Sequence, residues 1–212
     1  MVISHKHKFI FIHIYKNAGT SIADALLPYG MTEFQRNLNK MLNGWAEPIY
    51  RRLRLYPQPF PSHIKAKELV EKLGRETFDS YFTFAFVRNP WDWLLSQYKY
   101  IITHREHHLH KKIKKLKDFE EYVHHVAKGK GGYQKNWIYS DDDEQLVDYI
   151  GRFENLENDF NCICSNIGIN AKLPHLNIST SGSYKDHYNE TMRELVRERF
   201  KPDVEMFGYD FE

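Results

Sequence analysis

The sequence predicts an α/β protein: a three-layer sandwich in which a small central parallel sheet carries helices on both faces. Three observations lead there. Three short apolar runs, residues 9–15 (FIFIHIY), 81–87 (YFTFAFV) and 146–153 (LVDYIGRF), are rich in β-branched and aromatic residues and read as buried strands. Stretches with helical spacing of apolar residues alternate with them, which is the order that builds a parallel sheet. A length of 212 residues, 42% hydrophobic and 27% charged, fits a single domain spanning 1–212 with a sizeable core.

Each element follows from local signals. Residues 1–8 read as a short polar lead-in to the first strand. That strand runs into a loop, Lys16-Asn17-Ala18-Gly19-Thr20-Ser21. A helix is expected over 22–27, with Thr20 or Ser21 as its N-cap and Pro28 as its end. Residues 44–61 hold Pro48, Pro57, Pro59 and Pro61, so an irregular segment is expected there. A short amphipathic helix follows over 66–73. After the second strand, Pro90 sits in the first turn of a helix that continues through Trp93, Leu94, Tyr98 and Ile101. A basic stretch covers 104–117. Further helices are expected over 118–127, 156–167 and 189–200, the last capped by Asn189, with a loop over 172–183.

Composition excludes several classes. Thirty Lys and Arg against 28 Asp and Glu leave a net charge of +2, too little to argue for nucleic acid, and no reader motif is present. Cys162 and Cys164 alone cannot build a disulfide framework or a cysteine zinc site. No run of apolar residues is long enough to span a membrane, and FIFIHIY lacks the small-residue cleavage site of a signal peptide. Taken as the whole natural chain, the protein is expected to be cytoplasmic.

The loop after the first strand carries the first chemical signal. In a parallel sheet, ligands bind beyond the carboxyl ends of the strands. A helix N-terminus there offers free N–H groups and a positive dipole end to an anion. Lys16 adds a charge, Gly19 allows close approach, and Thr20 and Ser21 add hydroxyl donors. The same residues also fit an ordinary tight turn with a surface lysine. The loop is not a Walker A motif, because Lys16 precedes Gly19 by three residues. The second strand ends in Arg88, where a nucleotide kinase would place a carboxylate for Mg²⁺. Ser96 lies about two helical turns further on. Arg88 and Ser96 together fit a second phosphate site, a charged fork plus a hydroxyl; alternatively Arg88 pairs with Asp92 and Ser96 does nothing.

KNAGTS after a first strand and VRNPWDWLLSQY after a second resemble the two signature segments of sulfotransferases that use PAPS (3′-phosphoadenosine 5′-phosphosulfate). The resemblance is greatest to the type-2 carbohydrate sulfotransferases, which include uronyl 2-O enzymes. It extends through GRFENLENDF (151–160), LPHLNIST (173–180) and MFGYDF (206–211), so it spans nearly the whole chain. It implies a P-loop-like fold and metal-free, in-line transfer of a sulfuryl group from PAPS to a hydroxyl of a carbohydrate or other small acceptor, with PAP as product. It assigns Lys16, Asn17, Ala18, Gly19, Thr20 and Ser21 to the 5′-phosphosulfate, with Lys16 also stabilising the leaving phosphate, and Arg88 and Ser96 to the 3′-phosphate. Relatives often carry arginine where this chain has Trp93. A P-loop-like nucleotide kinase and a non-catalytic nucleotide- or glycan-binding protein are the competing readings.

The resemblance places a histidine or glutamate near His63 as the base that deprotonates the acceptor, and a neutral imidazole suits that task. His13, three residues before Lys16, and Glu68, on the helix after His63, are the rivals. His175 fits a structural place or the edge of the donor site. The basic stretch holds Arg105, five lysines, and His104, His107, His108 and His110. It reads as a solvated face or as a landing patch for an anionic acceptor such as an acidic glycan. Its histidines lack the carboxylate or cysteine that would complete a metal site, so no metal is expected. Acceptor pockets are built from variable loops, here residues 27–61 and the basic stretch.

Overall fold

The computed structural model describes residues 1–30, 60–174 and 183–211. Most of the proline-rich segment 44–61 and of the acceptor loop 27–61 falls outside the described residues, as do His175 and most of the LPHLNIST segment.

The chain opens with strands β1 (Val2–Ser4) and β2 (Phe9–Ile12) and helix α1 (Gly19–Gly30). Helices α2 (Ala66–Leu73) and α3 (Arg75–Asp79) lead into β3 (Phe82–Val87). Then come α4 (Pro90–Thr103), the single turn α5 (His110–Ile113) and α6 (Phe119–Ala127). Strand β4 (Tyr149–Arg152) precedes α7 (Leu156–Asn166), and α8 (Glu190–Arg199) and α9 (Lys201–Phe207) close the fold.

The four strands form one sheet in the order β1-β2-β3-β4. β2, β3 and β4 are parallel, with Phe9 beside Phe82 and Phe84 beside Tyr149. Period-two alternation divides the strands between two cores. Phe9, Phe11, Phe84 and Phe86 face Ile22 and Leu26 of α1 and Phe160 and Ile163 of α7. Ile10, Ile12, Ala85 and Val87 face Ala66 and Leu69 of α2 with Ile138 and Phe207. Helices therefore cover both faces, the three layers expected. A third cluster joins α4, α6 and α8 around Trp91, Trp93, Val123 and Val196.

Several expectations are corrected. The sheet is not wholly parallel, because β1 pairs antiparallel with β2 along its edge. Three apolar residues, Met1 to Ile3, are too few to show a period, yet all are buried. The third strand starts three residues late. The Asp148 carboxylate accepts from the Thr83 N–H and hydroxyl at 2.7 and 2.9 Å, so a side chain replaces the main-chain acceptor there, while the Asp148 N–H still donates to the Thr83 carbonyl at 2.9 Å. Helix α1 starts at Gly19, since the Ser21 and Ile22 N–H groups both donate to the Ala18 carbonyl, at 3.0 and 3.1 Å. Thr20 and Ser21 therefore lie inside the helix and do not cap it. Pro28 lies in the last turn, where the helix is already running out of partners. The basic stretch is a chain of turns around α5. Asn189 caps α8 as read, accepting from Met192 N at 2.9 Å.

Candidate functional site

The site forms at the carboxyl ends of β2 and β3. Strand β2 stops at Ile12, and the chain turns sharply: Lys16 has φ 65° and Ala18 φ 57°. Side-chain-bearing residues seldom adopt this left-handed region, and their presence marks a backbone held by its surroundings. The turn delivers the chain straight into α1. Among the described residues, the N–H groups of Gly19 and Thr20 have no acceptor, so the first turn of α1 presents two free donors at its positive end.

Gly19 is required by contact. A Cβ there would lie 1.9 Å from Cδ2 and Nε2 of His13. The His13 ring also stacks on Phe11 and lies 4.4 Å from the ring of His63. Burial, reinforced by the positive N-terminus and His63, pushes its pKa down to about 2. The His13 ring is thus committed to packing between Gly19, Phe11 and His63, with its basicity lowered by burial. Glu68 is exposed on α2.

His63 keeps one side open to solvent and packs the other against His13 and Tyr15. Its Nδ1 lies 3.0 Å from the His13 carbonyl oxygen. A carbonyl only accepts, so Nδ1 carries the hydrogen and Nε2 keeps a lone pair. Partial burial lowers its pKa, while the bond to the His13 carbonyl works the other way. Nε2 is thereby left free to accept a proton.

Lys16 is half-buried, with its ammonium 4.0 Å from the ring centroid of Tyr100 on α4. Burial first, then the nearby Arg88 charge, lowers its pKa. Arg88 ends β3 and is nearly enclosed. Its Nε and Nη2 meet Asp92 Oδ2 at 2.8 and 2.7 Å, and its plane lies 3.8 Å over Phe153. Its Nη1 donates to the Lys16 carbonyl at 3.1 Å. The pairing with Asp92 thus exists, and it leaves two of the five guanidinium N–H groups uncommitted. Ser96 is half-buried on α4 and forms no hydrogen bond among the described residues. Arg88, Asp92, Ser96 and Tyr100 recur every fourth residue, so from Asp92 onward they share one face of α4.

Three residues complete the site that sequence reasoning did not single out. Tyr100 is the first, an exposed aromatic ring that also stacks on His104 with centroids 3.8 Å apart. Gln134, wholly buried, is the second. Its Oε1 accepts from Asn17 Nδ2 at 2.7 Å and from Arg88 N at 2.9 Å, and its Nε2 donates to the Arg88 carbonyl at 2.7 Å. Asp203 is the third: its buried carboxylate accepts from the N–H groups of Gln134 and Lys135 at 2.8 and 2.9 Å. Burial raises the Asp203 pKa to about 6 against those two bonds. The Asn17 amide nitrogen also donates to the Phe86 carbonyl at 2.7 Å, while its Oδ1 is buried with no hydrogen-bond partner among the described residues. Trp93 donates its indole N–H to the Tyr15 carbonyl at 2.9 Å and steadies the exit of β2. A lone Gln and Asp carry no sequence signal, since nothing in the spacing shows what they touch.

The basic stretch borders this site through Tyr100. His110 is buried and bonded to the Ile101 carbonyl at 2.8 Å, while Arg105, Lys111, Lys112, Lys114, Lys115 and Lys117 are exposed. Among the described residues, no three His, Cys, Asp or Glu side chains converge as metal ligands. No helix among them is long and apolar enough to cross a membrane.

The profile of the sulfotransferase family matches residues 1–210. The chain is also similar to an uncharacterized protein of Archaeoglobus fulgidus, 28% identical over 128 residues that cover 54% of this chain and 91% of that protein.

Proposed function

We propose that this chain, which belongs to the sulfotransferase family, transfers a sulfuryl group from PAPS to a hydroxyl of a carbohydrate or other small acceptor and releases PAP. One observation supports the reading above all. The loop 16–21 and the end of β3 are bonded into one unit, through Arg88 Nη1 to the Lys16 carbonyl and through Asn17, Gln134 and Arg88, and His63 is anchored on His13 and Tyr15, which lead into that loop. Two anion sites and one base are what the transfer needs.

In this reading the acceptor oxygen attacks sulfur while the bond from sulfur to the bridging phosphate oxygen breaks. The electron pair of that bond leaves with PAP, and the acceptor proton passes to His63 Nε2. Lys16 and the N–H groups of Gly19 and Thr20 meet the charge growing on the leaving phosphate, preorganised stabilisation of the kind that usually dominates such reactions. The two uncommitted Arg88 donors, with Ser96, hold the 3′-phosphate and fix the donor's register. The loop adopts the P-loop-like role of a cradle without the Walker lysine.

The test is donor selectivity by calorimetry. PAP is expected to bind more tightly than 5′-AMP by on the order of 2–3 kcal/mol, the worth of a charged hydrogen-bond set. Arg88→Ala is expected to erase most of that preference. Equal affinities of the unaltered protein for PAP and 5′-AMP would refute the donor assignment.

A further inference from the structure

We infer that Gln134 is a positioning residue that fixes the distance between the two anion sites, and so makes the protein select 3′,5′-bisphosphorylated nucleotides over isomers and monophosphates. The inference rests on the donor reading above and adds to it the origin of its selectivity.

Gln134 is 0% exposed. Its Oε1 already accepts two hydrogen bonds, and its Nε2 already donates to the Arg88 carbonyl. It touches no ligand itself. Through Arg88 it grips both main-chain polar groups of the residue that presents the guanidinium. Through Asn17 it grips the turn that presents the free N–H groups of α1. Asn17 in turn reaches the Phe86 carbonyl, so the loop and the strand are tied at two points. Gln134 cannot drift, because Asp203 holds the N–H groups of both Gln134 and Lys135.

A ligand touching one anion site is indifferent to this tie. A ligand touching both gains only if the sites stand at its own interphosphate spacing. The second phosphate then binds as an intramolecular event, and its advantage depends on geometry rather than on any new contact. A buried amide that sets the spacing therefore acts on bisphosphates and spares monophosphates. A residue that merely supports the fold would affect all of them alike.

The experiment measures calorimetric affinities of PAP, 2′,5′-ADP and 5′-AMP for the full chain and for Gln134→Met, which keeps the side-chain volume and removes its polar atoms. PAP and 2′,5′-ADP carry the same charge, so net attraction cancels between them. In the unaltered protein PAP is expected to bind most tightly. In Gln134→Met, PAP affinity is expected to fall about tenfold or more, approaching that of 2′,5′-ADP, while 5′-AMP changes by less than about threefold. An equal loss for all three ligands would reduce Gln134 to a structural role and overturn the inference, as would an undiminished PAP preference. If the methionine variant does not fold by circular dichroism, Asn17→Ala decides. It cuts the loop's side-chain ties to Gln134 and to the Phe86 carbonyl together and leaves the Gln134–Arg88 pair intact, so it is expected to show at least the same selective loss, and a retained preference overturns the inference. A protein whose unaltered form shows no PAP preference fails at the donor reading instead, which separates the two failures.

Discussion

The donor cradle and the basic stretch 104–117 are neighbours joined through Tyr100, yet they are built in opposite ways. In the cradle the buried side chains that tie the loop to β3 are bonded to one another, and Asn17 Oδ1 alone among them lacks a partner among the described residues. Gln134, Asn17 and Asp203 are buried and bonded, and Arg88 keeps only two donors free. In the basic stretch the five lysines stand exposed around a single helical turn. A rigid, internally satisfied site suits a ligand of fixed shape, because the cost of ordering has been met in folding. A field of exposed cations suits a partner that varies in shape and is recognised by charge, with an energy that salt screens. Under the proposed function, the difference gives the donor the first region and an anionic acceptor the second.

The strongest way to break that comparison is inside the cradle, at His63. A general base contributes roughly 10²–10⁴-fold to rate and little to donor binding. His63→Ala is therefore expected to lower turnover by that factor while PAP affinity stays within a few-fold; Lys16→Ala should lower both. The pH dependence has a definite sign. The working form is the neutral imidazole, and protonation abolishes it. Burial holds the His63 pKa below its ordinary value, so the acid limb of the rate profile should have its midpoint below about 6.5. Normal turnover in His63→Ala would remove the base from the mechanism and leave the donor site standing.

A milder test sharpens the contrast from the other side. Replacing Lys111, Lys112, Lys114 and Lys115 with glutamate should raise KM for a polyanionic acceptor several-fold at low ionic strength. The increase should shrink as salt approaches about 0.15 M, where exposed charges more than about 8 Å apart are screened. PAP affinity and the KM for an uncharged acceptor should stay unchanged. An equal rise for charged and uncharged acceptors would return the stretch to the role of a solvated face.

Legibility in the sequence followed the same division. The strands were readable because aromatic and β-branched residues on both faces are buried, as Phe84 and Ala85 show by facing opposite cores. The loop and Arg88 were readable because charge and glycine fall at strand ends. What could not be read depends on contacts between distant residues. Gln134 meets Asn17 across 117 positions, and Asp203 meets Gln134 across 69. The edge strand β1 was too short to show a period. His13 appeared to be a rival base because nothing local reveals that its ring fills the space above Gly19.

The smallest expected effect is none at all. A kinase-like reading of the cradle needs a divalent cation between the phosphates and a strand-end carboxylate. Here β3 ends in Arg88, and the nearest carboxylates are engaged elsewhere. Asp92 accepts two guanidinium bonds from Arg88, and Glu154 accepts from the Asn89 N–H at 2.6 Å and from the Tyr209 hydroxyl at 3.0 Å. Freeing Asp92 for a cation would strand the Arg88 charge in a nearly buried place, and breaking such a pair from one side costs roughly 3–5 kcal/mol. Under the proposed function, the charge that a metal would supply comes instead from Lys16, Arg88 and the free N–H groups of α1. Sulfuryl transfer is therefore expected to proceed at the same rate in excess EDTA as in millimolar Mg²⁺, measured with labelled PAPS and an acceptor on which the unaltered protein turns over. A strict Mg²⁺ requirement would mean that Asp92 leaves Arg88 during the reaction. The cradle would then belong to a nucleotide kinase, and Asp92→Asn would abolish activity rather than loosen Arg88.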